Sequence, residues 1–208
     1  MLRRSLLVGG LVALAAALAT PAALGVRVQV RVEGRTQTIY GAVQPTLDFN
    51  PNKAPPGPPN ALDALEAASE AGEFYYHVRT TSFGPFVDQI GRFPASGTAG
   101  WVFKVNWVSP PVGADQVQVR DGDVVLWYWA QFGVVPGGPP TLRLQRRPRS
   151  CYTVTALDDA GRPTSVAGAV VNVDGRRVRT RSGRACIGPH RGLVRATLDG
   201  AIRSNAVR

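Results

Sequence analysis

Histidine, cysteine, methionine and lysine are nearly missing from this chain. Its 208 residues include two histidines, two cysteines and one methionine. Haem, iron–sulfur and zinc-cluster proteins need more ligands than that, so counting alone excludes them. Only Lys53 and Lys104 among the 24 basic residues are lysines. An arginine excess of this kind, beside much Ala, Gly and Pro, marks a GC-rich coding sequence before it marks a function. After residue 25 no apolar run reaches the ~20 residues of a membrane span. What is present is a balance of 44% hydrophobic and 18% charged residues, which supports a packed core. Gly (23) and Pro (17) are abundant enough to favour turn-rich β structure over a helical bundle.

Met1 to Gly25 reads as a leader. Arg3-Arg4 precedes an apolar run from Leu6 to Ala19, and Ala17-Leu18-Ala19 offers an A-x-A cleavage site. The competing reading is an uncleaved anchor, for which the run is short. The expectation is a secreted, extracellular or cell-envelope-associated chain with no transmembrane helix in its mature form. In that oxidising setting Cys151 and Cys186 are expected to form a disulfide. Closing a loop of 35 residues is worth roughly 3–4 kcal/mol in the chain-entropy model. No metal and no cofactor are expected.

Charge divides the chain. Residues 20–140 carry 8 Lys/Arg and 10 Asp/Glu, whereas residues 141–208 carry 14 Arg and 4 Asp. Pro136-Gly-Gly-Pro-Pro140 and the basic run to Arg149 mark the expected boundary, a Pro/Arg-rich linker over 136–150. Thr141 to Leu144 is compatible with a last strand of the first unit. The formal charge of +10 therefore belongs to the second unit.

In the first unit, Val26, Val28, Val30 and Val32 alternate with Arg27, Gln29 and Arg31, the signature of a half-buried strand with a polar outer face. Thr36 to Tyr40 is a candidate return strand, and Asn50 to Pro59 must be a loop. Ala61 to Ala71 is the one good helix, with Asn60 as N-cap, Asp63 three residues on and Gly72 at its end. Trp101, Phe103, Val105 and Trp107 share one face of a strand, and Lys104 and Asn106 the other. Val117 and Val119 suggest a further strand, and Asp121-Gly122-Asp123 a turn into Val124–Trp129. Strands around a single helix suggest an α+β domain of β-grasp type.

The Val-rich first strand, the Ala61-Leu-Asp-Ala-Leu65 helix, the Gly100-Trp-Val-Phe-Lys-Val-Asn106 block and the Asp121-Gly-Asp-Val-Val-Leu-Trp-Tyr128 block occur in fixed order. Together they resemble the transcobalamin/intrinsic-factor C-terminal-like domain, a soluble-ligand-binding β-grasp module. The resemblance covers about 26–133 and implies capture of a small soluble ligand, with cobalamin-like or glycan chemistry as candidates. Two departures weaken the corrin reading. Trp107 stands where the family commonly has Gly, and the helical barrel that completes the corrin site in the animal carriers is missing.

Tyr75, Tyr76, Phe86, Trp107, Trp127 and Trp129 are the candidate ligand-binding residues, since aromatic faces give large contact area at little rotamer cost. The competing reading is that they are core. Asp121 and Asp123 are better read as a turn than as a cation site.

In the second unit, strands are expected over Tyr152–Leu157, Ala169–Val173, Arg176–Thr180, Ala185–Ile187, Gly192–Thr197 and Ala201–Val207, with turns at Asp174-Gly175 and Ser182-Gly183. The stretch Val166–Ala185 followed by Arg191–Thr197 resembles the carboxypeptidase-regulatory/transthyretin-like family, which implies a small all-β sandwich domain over 151–208 and no chemistry. Arg177, Arg179 and Arg181 form a candidate strip for an anionic cell-envelope polymer; the alternative is a solvated face. With His77 and His190 as the only imidazoles, and no nucleophile, zinc-protease or phosphate-loop motif, an enzyme is not expected. Nucleic acid is not expected either. The reading is a non-catalytic ligand-binding protein, with an envelope-associated structural or adhesion module as the alternative.

Overall fold

The computed structural model describes residues 26–48, 57–133 and 138–208. The expected leader lies outside them, as do residue 49, residues 50–56 of the Pro-rich loop and 134–137 at the expected boundary. The described residues are mostly β-sheet, with one α-helix among them. No helix among the described residues is long and apolar enough to cross a membrane.

In the first unit, β1 (Arg27–Glu33), β2 (Thr38–Tyr40) and β3 (Thr46–Asp48) lead into α1 (Ala61–Gly72). The Asn60 side chain accepts from the Leu62 and Asp63 N–H groups, and the Asp63 carboxylate accepts from the Asn60 N–H, a complete capping box. The helix runs one residue past Ala71. Glu73, not Gly72, takes the left-handed conformation that ends it. Gly72 is needed for another reason: a Cβ there would lie 2.5 Å from a Tyr40 ring carbon.

Beyond the helix come β4 (Tyr76–Thr81), β5 (Gly84–Ile90), β6 (Phe93–Pro94), β7 (Ala99–Val105) and β8 (Val124–Gln131). One sheet has the order β2-β1-β8-β7, with β3 also on β1; β1 and β8 are parallel, and β7 is an edge. Strands β4-β5-β6 form a separate sheet. Val28, Val30, Val32, Val125 and Trp127 meet Ala61, Ala64, Leu65 and Ala68 of α1, and Val87 and Ile90 of β5 close this core. Val117 and Val119 are not in a strand. They pair irregularly with the start of α1, through Ala61 N–H to Val117 O and Val119 N–H to Pro59 O.

The expected linker needs correcting. Residues Thr141–Arg147 form β9, which pairs along its whole length with β10 (Cys151–Leu157). Thr141–Leu144 is therefore the first strand of the second unit. Its alternating Leu142 and Leu144 are fully buried there, a pattern that the Pro/Gly and Arg runs on either side obscured. Strands β11 (Pro163–Thr164) and β14 (Arg184–Cys186) flank β10, and β12 (Val170–Val173), β13 (Arg176–Arg179) and β15 (Arg195–Thr197) form a second sheet. Side chains from both sheets, including Tyr152, Val154, Val171 and Ala196, make one core. Asp174-Gly175 and Ser182-Gly183 turn with positive φ as expected. Cys151 faces Cys186 across β10 and β14 and is bonded to it. Ala201–Val207 is not a strand. It runs back toward the first unit, with the Ala206 N–H on the Ala42 carbonyl.

The two units share a seam. The sheet face opposite α1 presents Leu126, Tyr128 and Ala130, packed with Val102 and with Ile202 of the second unit. Arg31 belongs to this face and is fully buried, as is Glu33, so the polar outer face expected for β1 is exposed only at its start, where Arg27 is exposed and Gln29 half-buried. A central strand covered on both sides loses its solvent face.

Candidate functional site

An apolar cleft of about 380 Å³ runs along the free edge of β7. Its floor is Trp101, Phe103 and Trp127; Leu62 of α1 and Pro85–Val87 of β5 form one wall, and the Ser109–Ala114 loop and Phe132 form the other. A second hollow of about 410 Å³ continues it past Phe86 and Phe132 toward Arg79. Phe86 (38% exposed), Phe132 (40%) and Val112 (45%) are among the few large apolar side chains that the fold leaves in solvent.

The end of the cleft nearest the second unit is polar. Tyr128, Ser109 and Asp159 line it. The Ser109 hydroxyl donates to Asp159 at 3.1 Å, and the Ser109 N–H donates to the Asp159 carbonyl at 2.8 Å. Behind them the Lys104 ammonium, fully buried, lies 3.1 Å from the Asp159 carboxylate and 2.9 Å from the Asp158 carbonyl. Burial pulls the Lys104 pKa down from its ordinary value, with Asp159 opposing. Burial also pushes the Tyr128 hydroxyl well above the usual tyrosine value, reinforced by the Asp159 charge and opposed by a hydrogen bond with Ser109.

Six aromatics were candidates from the sequence, and the cleft brings two of them together, Phe86 as a rim and Trp127 as a floor. Trp127 is 2% exposed, and its indole N–H donates to the Ala61 carbonyl, so it belongs to the core first. Trp129 packs edge-on against Trp101 and does not line the cleft. Tyr76 donates to Glu66, and Tyr75 is exposed elsewhere. Trp107 leaves the strand alternation in a turn with φ +66°, and its ring lies 4.4 Å from the Arg143 guanidinium. It is a contact between units and not a cleft residue. Phe132, Val112 and the Pro110-Pro111 loop were missed, because nothing local marks a residue after a strand as the wall of a distant pocket.

Of the arginines, Arg177 and Arg179 are exposed on β13, beside Asn172 and Val170 of β12. Arg181 lies beyond the strand end, in a turn paired with Arg184. His77 is clipped to Asp88 at 2.6 Å across β4 and β5, away from the cleft. Among the described residues no group of three or more His, Cys, Asp or Glu is placed to hold a metal ion.

Residues 59–131 match the family described as Domain of unknown function (DUF4430). The match spans α1 and β4–β8, hence most of the cleft walls, and stops short of Phe132 and Asp159. No curated protein matches the chain. Among solved structures, the chain is similar to one from Ruminococcus gnavus ATCC 29149 described as "a putative metal binding protein". The identity is 19% and the TM-score 0.37, over 50% of this chain and 96% of that one.

Proposed function

We propose that this is a secreted, non-catalytic binding protein, with a β-grasp-like first domain that holds a largely apolar ligand in the cleft along β7 and a sandwich-like second domain that closes the cleft's polar end. The observation that carries this reading is the cleft itself: aromatic floor, exposed Phe86 and Phe132 at the rim, and a few converging polar groups at the junction of two units. Ligand sites concentrate in such places. The polar groups are committed to one another, Asp159 to Lys104 and Ser109, which favours holding a ligand over reacting with it. The disulfide fits an oxidising compartment.

The test is a fluorescence titration, because Trp101 and Trp127 form the floor. Glycans, corrinoids and an apolar dye (8-anilinonaphthalene-1-sulfonate) are added in turn. Phe86→Ser and Phe132→Ser, both on the rim, are expected to weaken the responding ligand about tenfold, roughly 1.4 kcal/mol, while leaving the melting temperature within about 2 °C. A flat response across the panel overturns the proposal.

A second reading, retention at an anionic envelope polymer, is favoured by the exposed arginines. Arg177, Arg179, Arg181 and Arg184 enter none of the ion pairs seen among the described residues. Retention by this face would fall steeply with salt; binding to isolated envelopes that is unchanged at high salt removes it.

A further inference from the structure

One border of the cleft is the edge of a sheet. Strand β7 ends its sheet, so among the described residues one edge has no strand beside it. The phase of the β7–β8 ladder is fixed at both ends: the Phe132 N–H donates to the Thr98 carbonyl and the Asn106 N–H to the Val124 carbonyl, each at 2.8 Å. With Trp101 opposite Trp129 and Phe103 opposite Trp127, this phase turns the main-chain groups of Gly100, Val102 and Lys104 toward β8. Those of Ala99, Trp101, Phe103 and Val105 turn away from it. Ala99 is taken by Ser96 and Val105 by Val108. Between them, Trp101 and Phe103 make no backbone hydrogen bond on that side among the described residues. Both line the cleft, across from Pro85–Val87 of β5.

Main-chain donors and acceptors in an apolar hollow call for partners. Two sets of them, two residues apart along a strand, repeat at roughly 6.7 Å, which is the repeat of an extended polypeptide. We infer that the occupant of this cleft is an extended polypeptide segment that adds to β7 as a further strand, bonding to the main chain of Trp101 and Phe103 and setting alternate apolar side chains against Phe86 and Phe132. The inference rests on the reading of the cleft as the ligand site and names the ligand's class. Strand addition of this kind draws affinity from the main chain and specificity from alternate side chains.

The probe is a pool of acetylated, amidated heptapeptides in which Val, Leu, Ile or Phe alternates with Thr. With the full chain, at least one member is expected to bind with a Kd below about 1 mM, and hydrogen exchange at the Trp101 and Phe103 amides is expected to slow about tenfold or more. N-methylation of alternate amides on the pairing edge of that peptide should weaken binding about tenfold or more, while methylation of the other edge should change it less than about twofold. No binding from the pool, equal losses from both methylated sets, unprotected Trp101 and Phe103 amides, or dimerisation in place of peptide binding each overturns strand addition. The dye separates the two readings. If the dye binds and Phe86→Ser weakens it while no peptide binds, only strand addition falls; if neither dye nor peptide binds, the cleft falls as a site as well.

Discussion

The Lys104 ammonium lies 3.1 Å from the Asp159 carboxylate, joining a strand of the first unit to a turn of the second, and it is fully buried. Carbonyls of Leu157 and Asp158 and the Thr141 hydroxyl complete its shell. Removing one member of a buried pair costs more than replacing the charge by apolar volume. Asp159→Asn, which strands the ammonium, is expected to destabilise by about 3 kcal/mol, and Lys104→Met by clearly less. Urea denaturation of the two variants measures the order; the reverse order contradicts this account.

Glu33 is the other anchor of the seam. Its carboxylate accepts from Arg203 at 2.9 Å, Arg195 at 2.8 Å and the Thr38 hydroxyl, with Arg31 at 3.5 Å. Three guanidiniums surround one carboxylate. Desolvation, aided by repulsion from Arg195 and Arg203, lowers Arg31 to about 10 despite Glu33. Glu33→Gln leaves those cations without their counter-ion and is expected to cost about 3–5 kcal/mol. Because the loss falls at the seam, unfolding should separate into two transitions, visible by calorimetry.

Trp107 tests how a strained turn is held. Asn106 and Trp107 have φ of +50° and +66°, the conformation for which Asn-Gly is the favoured pair. The indole is kept there by the Arg143 guanidinium stacked on it. Trp107→Ala loses the stack and keeps the strain, whereas Trp107→Gly loses the stack and relieves the strain. The glycine variant is expected to be more stable than the alanine variant by about 1 kcal/mol, and a double-mutant cycle with Arg143→Ala isolates the stacking energy.

Tyr128 gives a pH dependence with a definite sign. Its folded pKa is raised above the unfolded value of 10.0, so the folded chain keeps a proton that the unfolded chain loses. Its contribution to stability is therefore full below about pH 10 and declines above it, by up to about 1.4 kcal/mol per pH unit. Denaturation at pH 9 and pH 11 should show a smaller loss for Tyr128→Phe than for the unaltered chain. Equal losses would remove Tyr128 as the source.

Much of the local structure was legible in the sequence because its signals are local. Asn60 and Asp63 announce the start of α1, Asp174-Gly175 announces a hairpin, and the Val28/Val30/Val32 alternation gives a buried face of β1. The seam was not legible. Arg31 reads as a solvated residue in its own strand, and the carbonyl that accepts from it belongs to Arg203, 172 positions away. Lys104 fell on the polar side of its strand for the same reason. The cleft was half legible. Aromatic content pointed to the right unit, but Phe86 lines it through β5, while Phe132 and Val112 enter through irregular segments that carry no periodic signal.

The covering of β1 by residues 202–206 ties the two units to the order of synthesis. The sheet that holds Arg31, Glu33 and Lys104 is made first, and the segment that shields it is made 172 residues after Arg31. That sheet is complete only once β8 has ended at Gln131, 72 residues before Arg203, and at 5–20 residues per second the remaining delay is on the order of four to fourteen seconds. Throughout it the nascent sheet carries one finished face and one wet, charged face, so the first unit leaves the ribosome as an intermediate whose final dehydration waits for the tail.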